Sequence, residues 1–394
     1  MSDDSFNVSP QQEQLWLAEP YGPSGRTQAV VALRGNLDVA ALQRALNQTV
    51  ARHEVLRTTF ARRPGIRVPL QVIHDRLDPT WQTVDLGTRS PGEQAAAGEE
   101  ARRRELGAAL DFANGPLVRG LLVSMAEDRW TLVLTVSALC ADASSAPPLL
   151  RELVTRYGGE GELGPEPLQY ADFAEWQREL TVSEEPEARA ARAFWSRLEG
   201  ATSPALPFSM NASTAFVPDE VVVECADATG ALEPDLVQAA WHALLGRVTG
   251  ESDVVIGVVG PLRRHSDLDG AVGLFGRPLP IRVSVPGEAT FAAVIEALQT
   301  AAQEGAQRED YAPAAISVGL TIGFLAPEAY QAQAGELGVG LERVALSGPQ
   351  FRLWLTYETA GGDVRLRLSF DPRFIDRASV ERMAGQLERL VAGA

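Results

Sequence analysis

Residues 131–141 read TLVLTVSALCA, an apolar, β-branched run bounded by turn residues, and that pattern predicts a strand. From Pro147 the stretch LLRELVTRY returns to helical spacing. Strand and helix thus alternate in this part of the chain, which predicts an α/β fold class.

VVALRG at 30–35 and VPLQVIHD at 68–75 read as further strands. Residues 37–51, entered through Asn36 and Asp38, and residues 95–110 read as amphipathic helices. A Gly, Glu and Pro cluster at 158–167 predicts a loop before a helix at 169–180. The second half repeats the grammar: a helix at 233–248, a strand at 253–259, a long helix at 290–308, strands at 351–358 and 363–370, and a closing helix ASVERMAGQLERLVAG. The length of 394 residues and the polar, aperiodic stretch near 200–220 predict two lobes, 1–185 and 186–394. The similar order of elements in each suggests a pseudo-symmetric pair of α/β sandwiches. No short-period repeat is visible, which excludes solenoids and propellers.

The net charge of −17 repels phosphate backbones and anionic lipid, so neither nucleic acid nor a membrane is expected as a partner. The compact basic run Arg102, Arg103 and Arg104 is flanked by Glu99, Glu100 and Glu105 and reads as a solvated, ion-paired helix face. Two cysteines, Cys140 and Cys225, and the histidines His53, His74, His242 and His265 show no zinc-ligand spacing and no disulfide framework, so no metal is expected. The polar start MSDDSFNVSP and the lack of any run long enough to cross a bilayer predict a cytoplasmic protein with reduced thiols.

The opening SPQQEQLW at 9–16 and LDVAALQRALNQTVARHEVLRTTF at 37–60 resemble the first motifs of the condensation domains of nonribosomal peptide synthesis. PLVRGLL at 116–122, QYADFAEWQ at 169–177, FW at 194–195 and SDVVIGVVGPLRRHSDLDGAVGLFGRPLPIRV at 252–283 continue the resemblance in the family's order. It implies two chloramphenicol-acetyltransferase-like α/β sandwich lobes arranged as a V with a central tunnel. It further implies no cofactor of the chain's own: a peptidyl or acyl carrier protein delivers its acyl thioester on a phosphopantetheine arm, and an amine acceptor takes it.

The family's signature, His-His-x-x-x-Asp-Gly, aligns with Ser137, Ala138, Leu139, Cys140, Ala141, Asp142 and Ala143, so both histidines are replaced. Ala138 cannot donate, accept or orient a proton. Asp142 remains, and the resemblance implies a geometry-holding ion pair between it and Arg263 across the lobes. A heterocyclising subgroup carries Asp-x-x-x-x-Asp-x-x-Ser here; Ser137, Asp142 and Ser145 fill those slots, with the first carboxylate lost. In the second lobe Arg277 stands where the family has Asn, and Phe351, Arg352 and Leu353 stand for Phe-Asp-Leu. Cations at Arg277 and Arg352 suit an anionic or polyhydroxylated substrate, or are surface charges.

Three readings of the chemistry follow. The first is an amide-bond-forming acyltransferase, in which Cys140 takes the acyl group as a nucleophile and passes it to the amine. Ser137 and Ser145 then play supporting roles, and the thiol must be activated by His242, His265 or Arg263. Against this stand packing roles for the small thiol Cys140 and for His242, which sits on the apolar face of a helix. His53 reads as structural, and Cys225 lies outside every motif. Size, the altered motif and the absence of adjoining domains resemble the free-standing condensing enzymes of lincosamide antibiotic pathways, although an excised domain of a synthetase would read the same. The second reading is an inactive scaffold recruiting a carrier or tailoring enzyme, like the oxygenase-recruiting relatives of glycopeptide pathways. The third is a diverged heterocyclisation domain.

Overall fold

A computed structural model describes residues 4–18, 25–159, 163–209, 216, 218–225, 232–259, 265–347, 351–360 and 363–393. The chain divides into two compact units. The first comprises Met1–Arg178, Pro261–Gly276 and Glu328–Gly348; the second comprises Glu179–Gly260, Arg277–Pro327 and Pro349–Ala394.

The first unit is built on a six-stranded sheet in the order Gln331–Ala334, Leu337–Ser347, Arg26–Arg34, Arg129–Ser137, Val118–Ala126, Thr80–Asp85. All neighbours are antiparallel except the last pair. The strand Arg129–Ser137 lies in the middle and its last six residues are buried, which is why its sequence is mostly apolar rather than alternating. Residues 131–141 are therefore part strand and part turn: pairing ends at Ser137, opposite Arg26. Val39–Arg52 packs against Ala146–Gly158, burying Leu42, Ala45, Leu46 and Val50 on one helix and Leu149, Leu150 and Leu153 on the other. A small antiparallel sheet of Asp4–Asn7, Leu70–Ile73 and Thr58–Ala61 completes the unit.

The expected contiguous division at 185/186 is modified by two segments from the second half. Leu337–Ser347 runs the length of Arg26–Arg34, from Gly338 opposite Arg34 to Ser347 opposite Arg26. It thereby satisfies a sheet edge that would otherwise present a row of unpaired N–H and C=O groups.

The second unit holds a six-stranded sheet in the order Leu279–Ser284, Asp253–Val259, Ile322–Leu325, Leu353–Ala360, Asp363–Phe370, Asp219–Cys225. Helices Pro234–Thr249, Phe291–Ala306 and Arg377–Ala392 pack with it around Trp241, Leu245, Leu355, Leu368 and Leu387. Gly257 and Gly323 face each other across a parallel pair. A Cβ on either would come within 2.6 Å of the Phe351 ring, so the two glycines make the seat for that buried aromatic.

Candidate functional site

The central strand of the first unit ends at Ser137 in a turn held by a dense set of hydrogen bonds. The amides of Cys140 and Ala141 both donate to the Ser137 carbonyl, at 2.8 and 3.1 Å, and the Ala138 amide donates to the Gly25 carbonyl at 3.0 Å. Two side chains reach in from the N-terminal region. Gln12 donates to the Leu139 carbonyl at 2.8 Å, and Thr27 donates to the Ala141 carbonyl at 2.8 Å. Gln12 can do so because it is anchored at its own helix start: Ser9 and Gln12 form a reciprocal capping box in the SPQQ sequence.

Asp142 sits at the start of the helical segment that follows. Its Oδ1 accepts from the Ser144 hydroxyl at 2.7 Å and the Ser145 amide at 3.1 Å, and its Oδ2 accepts from the Gly276 amide at 2.5 Å. The Asp142 amide in turn donates to the Gly273 carbonyl at 3.0 Å. The Ser145 hydroxyl lies 3.0 Å from the Gly273 carbonyl and 3.2 Å from Oδ1 of Asp142, and it accepts from the Gly273 amide at 3.2 Å. Asp142 and Ser145 thus clamp residues 273–276 onto the motif turn. Tyr170 seals the same contact, its hydroxyl donating to the Leu274 carbonyl at 2.8 Å and lying 2.8 Å from Ser9 Oγ. Arg263, the expected partner of Asp142, lies outside the described residues.

Burial sets the surroundings of the residues that position singled out. Cys140 is 0% exposed, and burial pushes its thiol well above the ordinary range, the reverse of what a nucleophilic thiolate requires. Ser137 is also fully buried, with its hydroxyl oxygen accepting from the Leu139 amide at 3.2 Å. His242 lies in the core of the second unit. Burial lowers its imidazole to about 4, against the opposing pull of the Gln238 and Ile281 backbone carbonyls, so it is a packed neutral histidine at pH 7 rather than a general base.

The two arginines expected to meet substrate are likewise buried. Arg277 donates to the carbonyls of Ala312 and Glu309. Arg352 pairs with Asp371 at 2.8 Å and stacks over Phe216. Both guanidiniums therefore hold the second unit together. Arg102, expected on a solvated face, is 4% exposed and binds Glu99 and Gln28, whereas Arg104 and Glu100 do form the exposed pair. His53 is buried with Nε2 3.2 Å from Glu152.

Within 137–146 only Ala138 and Ser144 are partly open; the rest is buried. Ala138 stands where the missing imidazole would be, against Gly25, whose hypothetical Cβ would come within 3.1 Å of it. Sequence reasoning missed Ser144, although Asp142 followed by two serines before a helix is a capping pattern that would have drawn attention to it. Among the described residues no cluster of His, Cys, Asp or Glu could hold a metal ion, and no helix is long and apolar enough to cross a membrane.

A condensation-domain family profile matches residues 2–316. The chain belongs to the condensation-domain family. The chondramide synthase of Chondromyces crocatus is 33% identical over 331 residues, which cover 78% of this chain and only 8% of that synthase's length. The first condensation domain of the calcium-dependent antibiotic synthetase superposes with a TM-score of 0.85 at 20% identity, covering 100% of this chain and 97% of that one. The X-domain from teicoplanin biosynthesis superposes with a TM-score of 0.79 at 25% identity, covering 100% and 95%. The fold is thus that of the chloramphenicol-acetyltransferase-like condensation domains, and in this chain the motif turn carries an aspartate clamp and no imidazole.

Proposed function

We propose that this condensation domain forms an amide by direct attack of an amine on a carrier-bound acyl thioester, with positioning in place of a protein base. In that step the amine nitrogen bonds to the thioester carbonyl carbon, the C–S bond breaks, and the phosphopantetheine thiol leaves with the balance of one proton. A thioester is already activated, so holding the reactants at about 3–3.5 Å supplies much of the acceleration. The observation that carries the reading is the retained clamp: Asp142 still binds Ser144, Ser145 and Gly276. Had the turn served packing alone, apolar residues would have satisfied it at less desolvation cost. The Ser144 hydroxyl donates to Asp142 and so turns a lone pair away from it, which suits it to accept a hydrogen bond from the amine. Cys140 has no covalent role in this scheme.

A second reading is favoured by one comparison. The teicoplanin X-domain has been solved in complex with OxyB, and at 25% identity it relates to this chain across its full length. By that reading the domain recruits a tailoring enzyme and performs no chemistry.

The test is incubation of the purified protein with an acyl-loaded carrier and a primary amine, followed by mass spectrometry. Amide above the protein-free control, cut about tenfold by Ser144→Ala with the melting temperature unchanged, is expected. No amide with any loaded carrier and amine tried would favour the recruiting reading.

A further inference from the structure

The first unit carries a concave feature that uses none of the motif turn's residues. It is a cleft of about 440 Å³ between the helix Tyr170–Val182 and the residues that follow His265, lined by Leu168, Asp172, Phe173, Trp176, Asp267 and Leu268. The volume falls within the roughly 300–1,000 Å³ of small-molecule sites. Its walls are mainly apolar and aromatic. Phe173 forms the inner end, with ring centroids 4.8 Å from Phe275 and 5.7 Å from Trp176. Trp176 forms the outer end and remains 36% exposed, with the His265 ring edge-on at 5.6 Å.

Two carboxylates stand on these walls. Asp172 and Asp267 are both exposed, and among the described residues neither has a hydrogen bond or an ion pair. On the same helix the cationic Arg178 pairs with Glu13 at 3.8 Å. A tryptophan face and two uncompensated negative charges lining one cleft form an electrostatic complement to a positive charge carried on an apolar body. The same charges disfavour a carboxylate or phosphate ligand, and they disfavour an acidic protein surface.

We propose that this cleft binds a small organic ammonium ion, a primary amine on an aromatic or aliphatic stem, with its charge facing Asp172 and Asp267 and its stem against Trp176 and Phe173. The proposal is independent of the amide-forming reading, since it concerns binding and uses none of the residues of the motif turn.

The full chain would be titrated calorimetrically at low salt with 2-phenylethylamine and, separately, with 2-phenylethanol, its neutral counterpart. The amine should bind saturably in the millimolar range or tighter, and the alcohol about tenfold more weakly. The double variant Asp172→Asn/Asp267→Asn should weaken the amine about tenfold and leave the alcohol unchanged, and Trp176→Leu should weaken the amine severalfold. These positions are exposed, so the melting temperature should hold. Equal affinity for alcohol and amine, unchanged amine affinity in the double variant, or no saturable binding would each overturn the proposal.

Discussion

At Cys140 and His242 the environment reverses the chemistry that the residue type suggests. Each is fully buried, and removing water from the charged form raises the thiol and lowers the imidazole. The His242 shift has a consequence for stability. An unfolded imidazole titrates near 6.5 and the folded one near 4, so between those values the unfolded chain binds a proton that the folded chain refuses. Stability should therefore fall as the pH drops from about 6.5 towards 4, by roughly 3 kcal/mol in all. Glu99 and Glu152, whose folded carboxyls are held below 4.5, add their losses only below that value. Urea unfolding at pH 7 and pH 5.5 should show the drop in wild type and a much smaller one in His242→Gln; equal drops would remove His242 as the cause. Position in the family motif was legible at this scale, because the aspartate and the lost histidines can be read off residues 137–143. Burial was not, since Ala, Leu and Cys around a strand end look the same in sequence whether they face water or core.

The segment 265–276 shows how an element is held by shape as well as by hydrogen bonds. Gly273 lies so close to Tyr170 that a Cβ there would come within 2.0 Å of the ring. Tyr170 cannot yield cheaply, because it is buried and its hydroxyl holds Leu274. Gly273→Ala should accordingly cost about 3 kcal/mol, through a displaced ring and a loosened Asp142 clamp. Denaturant midpoints would measure this, and a loss under about 0.5 kcal/mol would mean the segment is not held as described. The long amphipathic helices were legible because their period is strong: residues 233–248 and 290–308 match Pro234–Thr249 and Phe291–Ala306 closely. Short or edge strands were not. Thr80–Asp85 has a largely exposed pattern, and Leu337–Ser347 begins by alternating apolar residues with glycines, so neither announces itself by composition.

Across the whole molecule the borrowing of chain runs one way: the first unit recruits residues beyond 260 to finish its sheet and to clamp its motif turn. No local pattern reports such a long-range pairing, which is why a single cut at 185/186 was the natural expectation. A fragment of residues 1–185 should not fold by itself, because it lacks the strand that covers Arg26–Arg34 and the glycines that hold Asp142. A cooperative thermal transition by circular dichroism in that fragment would show the recruited segments to be dispensable. The proposed chemistry as a whole rests on amide formation without a covalent enzyme intermediate. Its most direct test is intact-protein and peptide mass spectrometry after mixing the protein with an acyl-loaded carrier, first without amine and then with it. We expect no acyl adduct on any peptide in the first stage and amide product in the second, whereas an acyl group on the Cys140 peptide that disappears when amine is added would contradict direct attack.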